Sequence, residues 1–252
     1  MYLLLWVALL PPIYLLHLVY KQDKIEKEPK SLVIRTLFFG ILSIIPAMIL
    51  EVILEAVMYG VFGYDSDSTS NYLVLILIEN IFCVGLVEEC CKYLAARTIW
   101  KNKAFNYRFD AVVYAVSSAL GFAALENVLY VFDNGLATGL MRAVLSIPLH
   151  GICGIFMGIY MGQAKLCECR DDRKGKKAFL RRAIWVPTFI HGIYDALASL
   201  SSSGGFLLFL AFVIVVDVIA VKRIKAESAS DEPIYPFSSY ENGDYWHTQS
   251  PQ

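Results

Sequence analysis

Long apolar runs separated by short polar breaks dominate this chain. Seven runs stand out, at about residues 2–20, 31–60, 72–96, 110–132, 140–164, 183–200 and 206–221. A hydrocarbon core about 30 Å thick needs roughly 20 residues of helix, so each run is of spanning length. The breaks carry loop chemistry: Lys21 to Lys30, residues 63–70, Asp133-Asn134-Gly135, and a Ser/Gly run at 201–205. Only helices and closed barrels satisfy every backbone group in lipid. The pattern therefore predicts an all-α, polytopic transmembrane bundle of about seven spans.

Charge orients that bundle. Segments 21–30, 97–109, 165–182 and 222–225 hold 19 of the 22 Lys and Arg residues, whereas 61–71, 133–139 and 201–205 hold none. By the positive-inside rule the basic segments are cytoplasmic, which puts the N-terminus outside and the C-terminus inside. The first run lacks a basic leading region and an A-x-A-like cleavage site, and is expected to be a retained helix. Hydrophobic residues at 57%, charged residues at 18% and a mean hydropathy of +0.54 agree with a membrane protein. Basic and acidic residues nearly balance, 22 against 23, which leaves no electrostatic footprint for nucleic acid. The six cysteines lie in apolar runs or in a cytoplasmic loop and need no disulfides. Residues 226–252, without Lys or Arg, read as a short disordered cytoplasmic tail. There is no P-loop, GxGxxG or internal repeat.

The remaining charges carry the chemistry. Lys92 is the basic residue left at depth, and it follows Glu88 and Glu89 at i+4 and i+3, so both carboxylates can meet the ammonium on one helix face. Ionisable groups near the bilayer centre cost about 2.5–3.5 kcal/mol each on insertion scales and mark functional sites, although a Glu–Lys clasp between helices explains this cluster without chemistry. The fourth run supplies Phe122, Glu126 and Asn127 among small residues, the fifth His150, and the sixth His191 with Asp195 at i+4. A lone buried histidine is commonly a packing residue; in the His191–Asp195 pair the carboxylate can fix the imidazole's tautomer. Glycines 154, 158 and 162 form a stripe that lets another helix approach closely and brings His150 into that interface. Glu51, Glu55, Glu79 and Asp217 read as structural or solvated groups.

Carboxylates, a lysine and two imidazoles at depth suit hydrolysis of a peptide bond, which needs a base for water, donors for the oxyanion and an acid for the leaving amine. Glu126, His150 and His191 could instead hold Zn²⁺, but no HExxH supports a metal locally. No Gly-x-Ser-x-Gly or Cys/His arrangement supports a serine or cysteine nucleophile.

The series Glu88-Glu89-x-x-Lys92, Phe122-x-x-x-Glu126-Asn127, His150 and His191-x-x-x-Asp195 resembles the PrsW family of intramembrane proteases, relatives of the CAAX prenyl endopeptidases, over about residues 31–220. Glu126 stands where the CAAX branch usually carries a histidine, and Lys92 where it carries an arginine one residue later, which favours the PrsW branch. The resemblance implies a membrane-embedded protease domain over 1–225 in the cell membrane. In it Glu88, with Glu89 beside it, activates water; Glu126, His150 and His191 complete the cluster; Asp195 orients His191; and Lys92, Phe122 and Asn127 support. It further implies site-1 cleavage of a single-pass anti-sigma factor in envelope-stress signalling. The family has been described both as metalloproteases and as glutamic-type proteases; metal-free chemistry is favoured by analogy with the CAAX enzymes, with zinc as the alternative.

Two other classes stay open on the residues alone. A proton-coupled transporter would use the same buried groups as a relay, and a receptor or structural membrane protein would tolerate their loss. Depth divides the candidates: at 1.5 Å per residue Glu126, His150, His191 and Asp195 fall roughly 8–15 Å below the outer boundary and Glu88 roughly 24 Å. A common site requires the Glu88 carboxylate to lie within about 10 Å of an imidazole.

Overall fold

A computed structural model of the chain describes residues 2–63, 73–200 and 202–235. The described residues form an all-helical bundle with no strand, apart from one isolated bridge between Tyr107 and Pro233. The helices are α1 (Tyr2–Gln22), α2 (Lys30–Leu42), α3 (Ile44–Phe62), α4 (Leu73–Ile78), α5 (Leu86–Ala96), α6 (Asp110–Val144), α7 (Ser146–Cys169), α8 (Arg173–Ala198) and α9 (Ser203–Ala229). Four stretches, Tyr2–Gln22, Lys30–Phe62, Asp110–Cys169 and Ser203–Ala229, are long and apolar enough to cross a membrane.

The other two expected spans are built differently. The run at 72–96 is broken: α4 passes into a π-helix, Glu79–Gly85, which passes into α5. Such π-turns cluster at functional sites, and this one directly precedes the Glu88–Lys92 motif. The run at 183–200 is the second half of α8, whose first half carries Arg173, Lys174, Lys176, Lys177, Arg181 and Arg182. Asp172 caps this helix by accepting the N–H of Gly175 at 2.8 Å.

The polarity of the bundle is inverted relative to a soluble core. Trp6, Val52 and Leu207 are 61–67% exposed, while Glu89, Lys92 and Asn127 are fully buried. An apolar belt around a polar interior is the surface expected of helices standing in lipid.

α6 and α7 form the centre, and the glycine stripe brings them together as the sequence predicts. A Cβ added at Gly154, Gly158 or Gly162 would lie 2.4–2.8 Å from backbone atoms of Val116, Val112 or Arg108. The Asp133-Asn134-Gly135 break appears as a turn inside α6, with Gly135 at φ 84°, ψ −172°. Beyond it the chain turns back over the bundle and carries Arg142 with it.

The four basic segments gather at one end. Ser228 Oγ donates to the Gln22 carbonyl. Asn106 Nδ2 donates to Glu26 Oε2 at 3.0 Å, and Trp100 Nε1 to Glu168 Oε2 at 2.8 Å. Within the expected 226–252 tail, residues 226–235 are packed. The Phe109 N–H donates to Asp231 Oδ1 at 2.9 Å, and Ile234 and Tyr235 enter the main apolar cluster. Ser228, Ile234 and Tyr235 are buried and Arg108 pairs with Glu227 at 3.3 Å and Glu232 at 3.1 Å, contacts with a segment distant in sequence that leave no pattern within the tail itself. Residues 236–252 lie outside the described residues. All six cysteines are free thiols.

Candidate active site

Helix geometry builds the first half of the site. On α5, Glu88 and Glu89 precede Lys92 by one turn, and the Lys92 ammonium donates to Glu88 Oε2 and Glu89 Oε1, both at 2.8 Å. The ammonium also lies 2.9 Å from His150 Nδ1 and 4.4 Å from the centre of the Phe122 ring. An ammonium has no acceptor, so His150 Nδ1 accepts and the imidazole proton sits on Nε2.

His150 Nε2 faces α6, where Glu126 Oε2 lies 2.9 Å away. The same carboxylate oxygen lies 2.8 Å from Arg142 Nη2. Arg142 is held on two further sides: its Nε donates to Asn127 Oδ1 at 3.1 Å, and its guanidinium stacks 3.9 Å above the centre of the Tyr130 ring. Asn127 in turn donates to the Ala8 carbonyl at 3.2 Å, which ties α1 to this corner.

His191 closes the cluster from α8. Its Nδ1 lies 3.0 Å from Glu89 Oε1 and 3.7 Å from Glu88 Oε2, and its Nε2 lies 3.2 Å from Asp195 Oδ2. The two imidazole rings are perpendicular with centres 5.1 Å apart. Gly192 permits this approach, since a Cβ there would lie 2.6 Å from Ile81 Cα and 2.7 Å from the Asn80 carbonyl oxygen in the π-helix.

The sequence-predicted residues therefore converge. Glu88, Glu89, Glu126, His150, His191 and Asp195 form one chain of contacts through Lys92, with Phe122 under the ammonium and Asn127 behind Arg142. Glu88 meets the distance requirement by a wide margin. The depth count assumed an α-helical rise throughout, and part of the third run is π-helix, to which that rise does not apply.

A cavity of about 1030 Å³ opens onto this cluster. Glu88, Glu126, His150, His191 and Asp195 line it; Glu89, fully buried behind Lys92 and His191, does not. The cavity extends past Tyr130 and Arg142 to Asp133, Asn134, Thr138 and Ser199, in or beside the segments without Lys or Arg. Sequence reasoning missed two contributors. Arg142 is absent from the predicted site residues, although an opposite charge on Glu126 sixteen residues earlier was the available signal. Glu51 reads in sequence as a structural or solvated group, yet it lines the cavity and its buried Oε1 has no hydrogen-bond partner among the described residues.

One donor atom each from Glu88, Glu89, His150 and His191 lies within 4.8 Å of the others, a carboxylate and imidazole set of the kind zinc accepts. Three of the four residues already bond the Lys92 ammonium. The arrangement fits an ammonium at its centre, and a metal ion held by these residues requires Lys92 to withdraw.

Comparison with known proteins agrees with this geometry. Residues 28–221 match the family model described as "PrsW family intramembrane metalloprotease". The chain is 34% identical over 224 residues to Protease PrsW of Oceanobacillus iheyensis, covering 88% of this chain and 94% of that one. It is 29% identical over 232 residues to Protease PrsW of Halalkalibacterium halodurans, covering 92% and 100%. It is also 29% identical over 196 residues to Protease PrsW of Bacillus subtilis, covering 77% and 82%. No solved structure matches the chain. With the motif residues brought into one connected cluster and the match extending over most of its length, the chain belongs to the PrsW family of intramembrane proteases.

Proposed function

We propose that this protein is a multi-pass endopeptidase of the cell membrane that cuts a single-pass membrane protein by glutamate-activated water, without a metal. The observation that carries the reading is the place of Lys92: its ammonium bonds both carboxylates and His150 from the middle of the donor set. Glu88 is the base because, of the two adjacent glutamates, it alone lines the cavity. It takes a proton from water as the oxygen attacks the scissile carbonyl, and passes that proton to the leaving amine. The N–H groups of His150 and His191 rest on Glu126, Glu89 and Asp195, and to serve as donors at the developing oxyanion they exchange a carboxylate for it. Arg142 keeps Glu126 on His150, and Asp195 keeps His191 oriented.

The topology we propose has seven crossings, with the N-terminus outside and the C-terminus cytoplasmic. Contacts among the basic segments at one end, and a cavity that runs toward the segments without basic residues, support this orientation. Family membership supports a substrate of the anti-sigma-factor type, cut toward its extracytoplasmic side. Zinc remains the second reading, favoured by the four clustered donors and the family description.

The test is cleavage of a single-pass substrate in liposomes by wild type, Glu88→Gln, Glu126→Gln and His191→Ala, each with and without a zinc-selective nitrogen chelator. Removing a general base is expected to cost about 10²–10⁴-fold in Glu88→Gln, with no effect of the chelator on wild type. Undiminished cleavage by Glu88→Gln overturns the assignment of the base. Loss of activity on chelation, restored by Zn²⁺, replaces the metal-free mechanism with the zinc one.

A further inference from the structure

A second set of carboxylates lies at the opposite end of the molecule, among the basic segments. Asp23 and Glu28 come from the α1–α2 loop and Asp110 is the first residue of α6. Their exposures are 1%, 2% and 0%, and one oxygen from each lies within 4.8 Å of the other two.

The protein's donors approach these groups on particular oxygens. Asp110 Oδ2 accepts the N–H groups of Asn106 at 2.9 Å and Tyr107 at 2.6 Å. Asp23 Oδ2 accepts the Glu28 N–H at 3.2 Å, and Glu28 Oε2 accepts the Tyr114 hydroxyl. Among the described residues no amide, hydroxyl or basic group bonds the buried Asp23 Oδ1 or Asp110 Oδ1, and the Asp110 and Glu28 carboxyls lie within hydrogen-bond reach of each other. Lys27, the basic residue beside Glu28, directs its ammonium to the carbonyl oxygens of Tyr20, Lys21 and Asp23.

An unpaired buried carboxylate is among the most costly groups a protein can hold, and these three crowd one another. The donor set is all oxygen, with no imidazole or thiolate to select zinc or copper. Ca²⁺ binds oxygen at 2.3–2.6 Å and Mg²⁺ at 2.0–2.1 Å, so oxygens on opposite sides of one ion are separated by about 4–5 Å. The spacing admits a single cation among all three residues.

We propose that Asp23, Glu28 and Asp110 bind one hard divalent cation of the Mg²⁺, Mn²⁺ or Ca²⁺ class, a structural site separate from the catalytic cavity. The ion clamps the α1–α2 loop onto the start of α6, the helix that carries Phe122 and Glu126 into the active site. It takes no part in hydrolysis, and the inference stands whether or not the catalytic cluster is metal-free.

The test uses the full chain in detergent micelles with Tb³⁺ as the probe, its emission sensitised by Tyr114 at the site. Saturable emission displaced by Ca²⁺ or Mg²⁺ is expected, with binding weakened by about tenfold or more in Asp110→Asn and Asp23→Asn and unchanged in Glu26→Gln. The thermal unfolding midpoint of wild type is expected to rise with added Mg²⁺ or Ca²⁺ and fall with EDTA. This readout holds even where a ligand variant fails to fold. No saturable emission from wild type, emission indifferent to both substitutions in folded protein, or a midpoint insensitive to cations overturns the proposal.

Discussion

Lys92→Met tests the architecture of the active site most directly. The ammonium is fully buried, bonds two carboxylates at 2.8 Å and His150 at 2.9 Å, and stands 4.4 Å over the Phe122 ring. Methionine has similar length and volume, so the substitution removes the charge without opening a large cavity. Breaking a buried ion pair by removing one partner costs about 3–5 kcal/mol because the other charge is left uncompensated. Here two carboxylates lose their common cation, so the upper part of that range is expected. At about 2–4 °C per kcal/mol for a chain of this size, the unfolding midpoint should fall by roughly 8–20 °C. Cys83, Cys91 and Cys153 are buried free thiols, so their labelling by a thiol-reactive dye during a thermal ramp in detergent reports unfolding without added probes. The double variant Glu89→Gln, Lys92→Met removes one of the stranded charges and should be more stable than the sum of the single variants by about 0.5–3 kcal/mol. A fall of less than about 2 °C for Lys92→Met, or strict additivity in the double variant, would refute the view that one ammonium binds the two carboxylates together.

Three further outcomes follow from neighbouring contacts. Glu89→Gln should reduce stability more than Glu88→Gln, since Glu89 bridges Lys92 and His191 out of reach of the cavity, whereas Glu88→Gln should mainly abolish cleavage; thiol labelling and liposome cleavage on the same preparations separate the two. Arg142→Gln should lower kcat by about 10²-fold with a smaller change in KM, because it frees Glu126 and so loosens His150; equal kinetics to wild type would remove Arg142 from the site. Gly192→Ala places a Cβ 2.6 Å from Ile81 Cα and should cost about 1–3 kcal/mol through overpacking while moving His191 off Glu89, seen as a lower midpoint together with reduced cleavage.

These contacts also explain how far the sequence could be read. Within one helix the arithmetic is local: i+3 and i+4 spacings placed Glu88 and Glu89 on Lys92 and Asp195 on His191, and glycines at four-residue intervals gave the α6–α7 contact. Between helices it fails wherever a short irregular element redirects the chain. The Gly135 turn carries Arg142 back onto Glu126, so a charge outside the predicted set meets the site. The π-helix before α5 made residue counting a poor guide to the depth of Glu88.

Loop charges show the same limit at the other end of the molecule. Asp23 and Glu28 lie in a stretch with four lysines, where solvation is the ordinary expectation, yet contact with the start of α6 buries both beside Asp110. No periodicity marks them, because the burial arises from three segments meeting and not from one segment's pattern. The two charge clusters differ in what neutralises them. In the cluster around Lys92, the ammonium, Arg142 and the imidazoles lie within bonding distance of the carboxylates, so the protein supplies its own counter-charges. In the triad, among the described residues, no amide, hydroxyl or basic group reaches Asp23 Oδ1 or Asp110 Oδ1, and the lysine beside them in sequence bonds carbonyl oxygens instead. Open carboxylate oxygens occur in both sets; what separates them is that the first holds Lys92 and Arg142 within bonding distance, whereas among the described residues no basic side chain pairs with Asp23, Glu28 or Asp110, and the proposed cation site rests on that difference. An oxygen-binding chelator should then lower the unfolding midpoint of Glu88→Gln as much as that of wild type, since the site it empties is not the one that cuts.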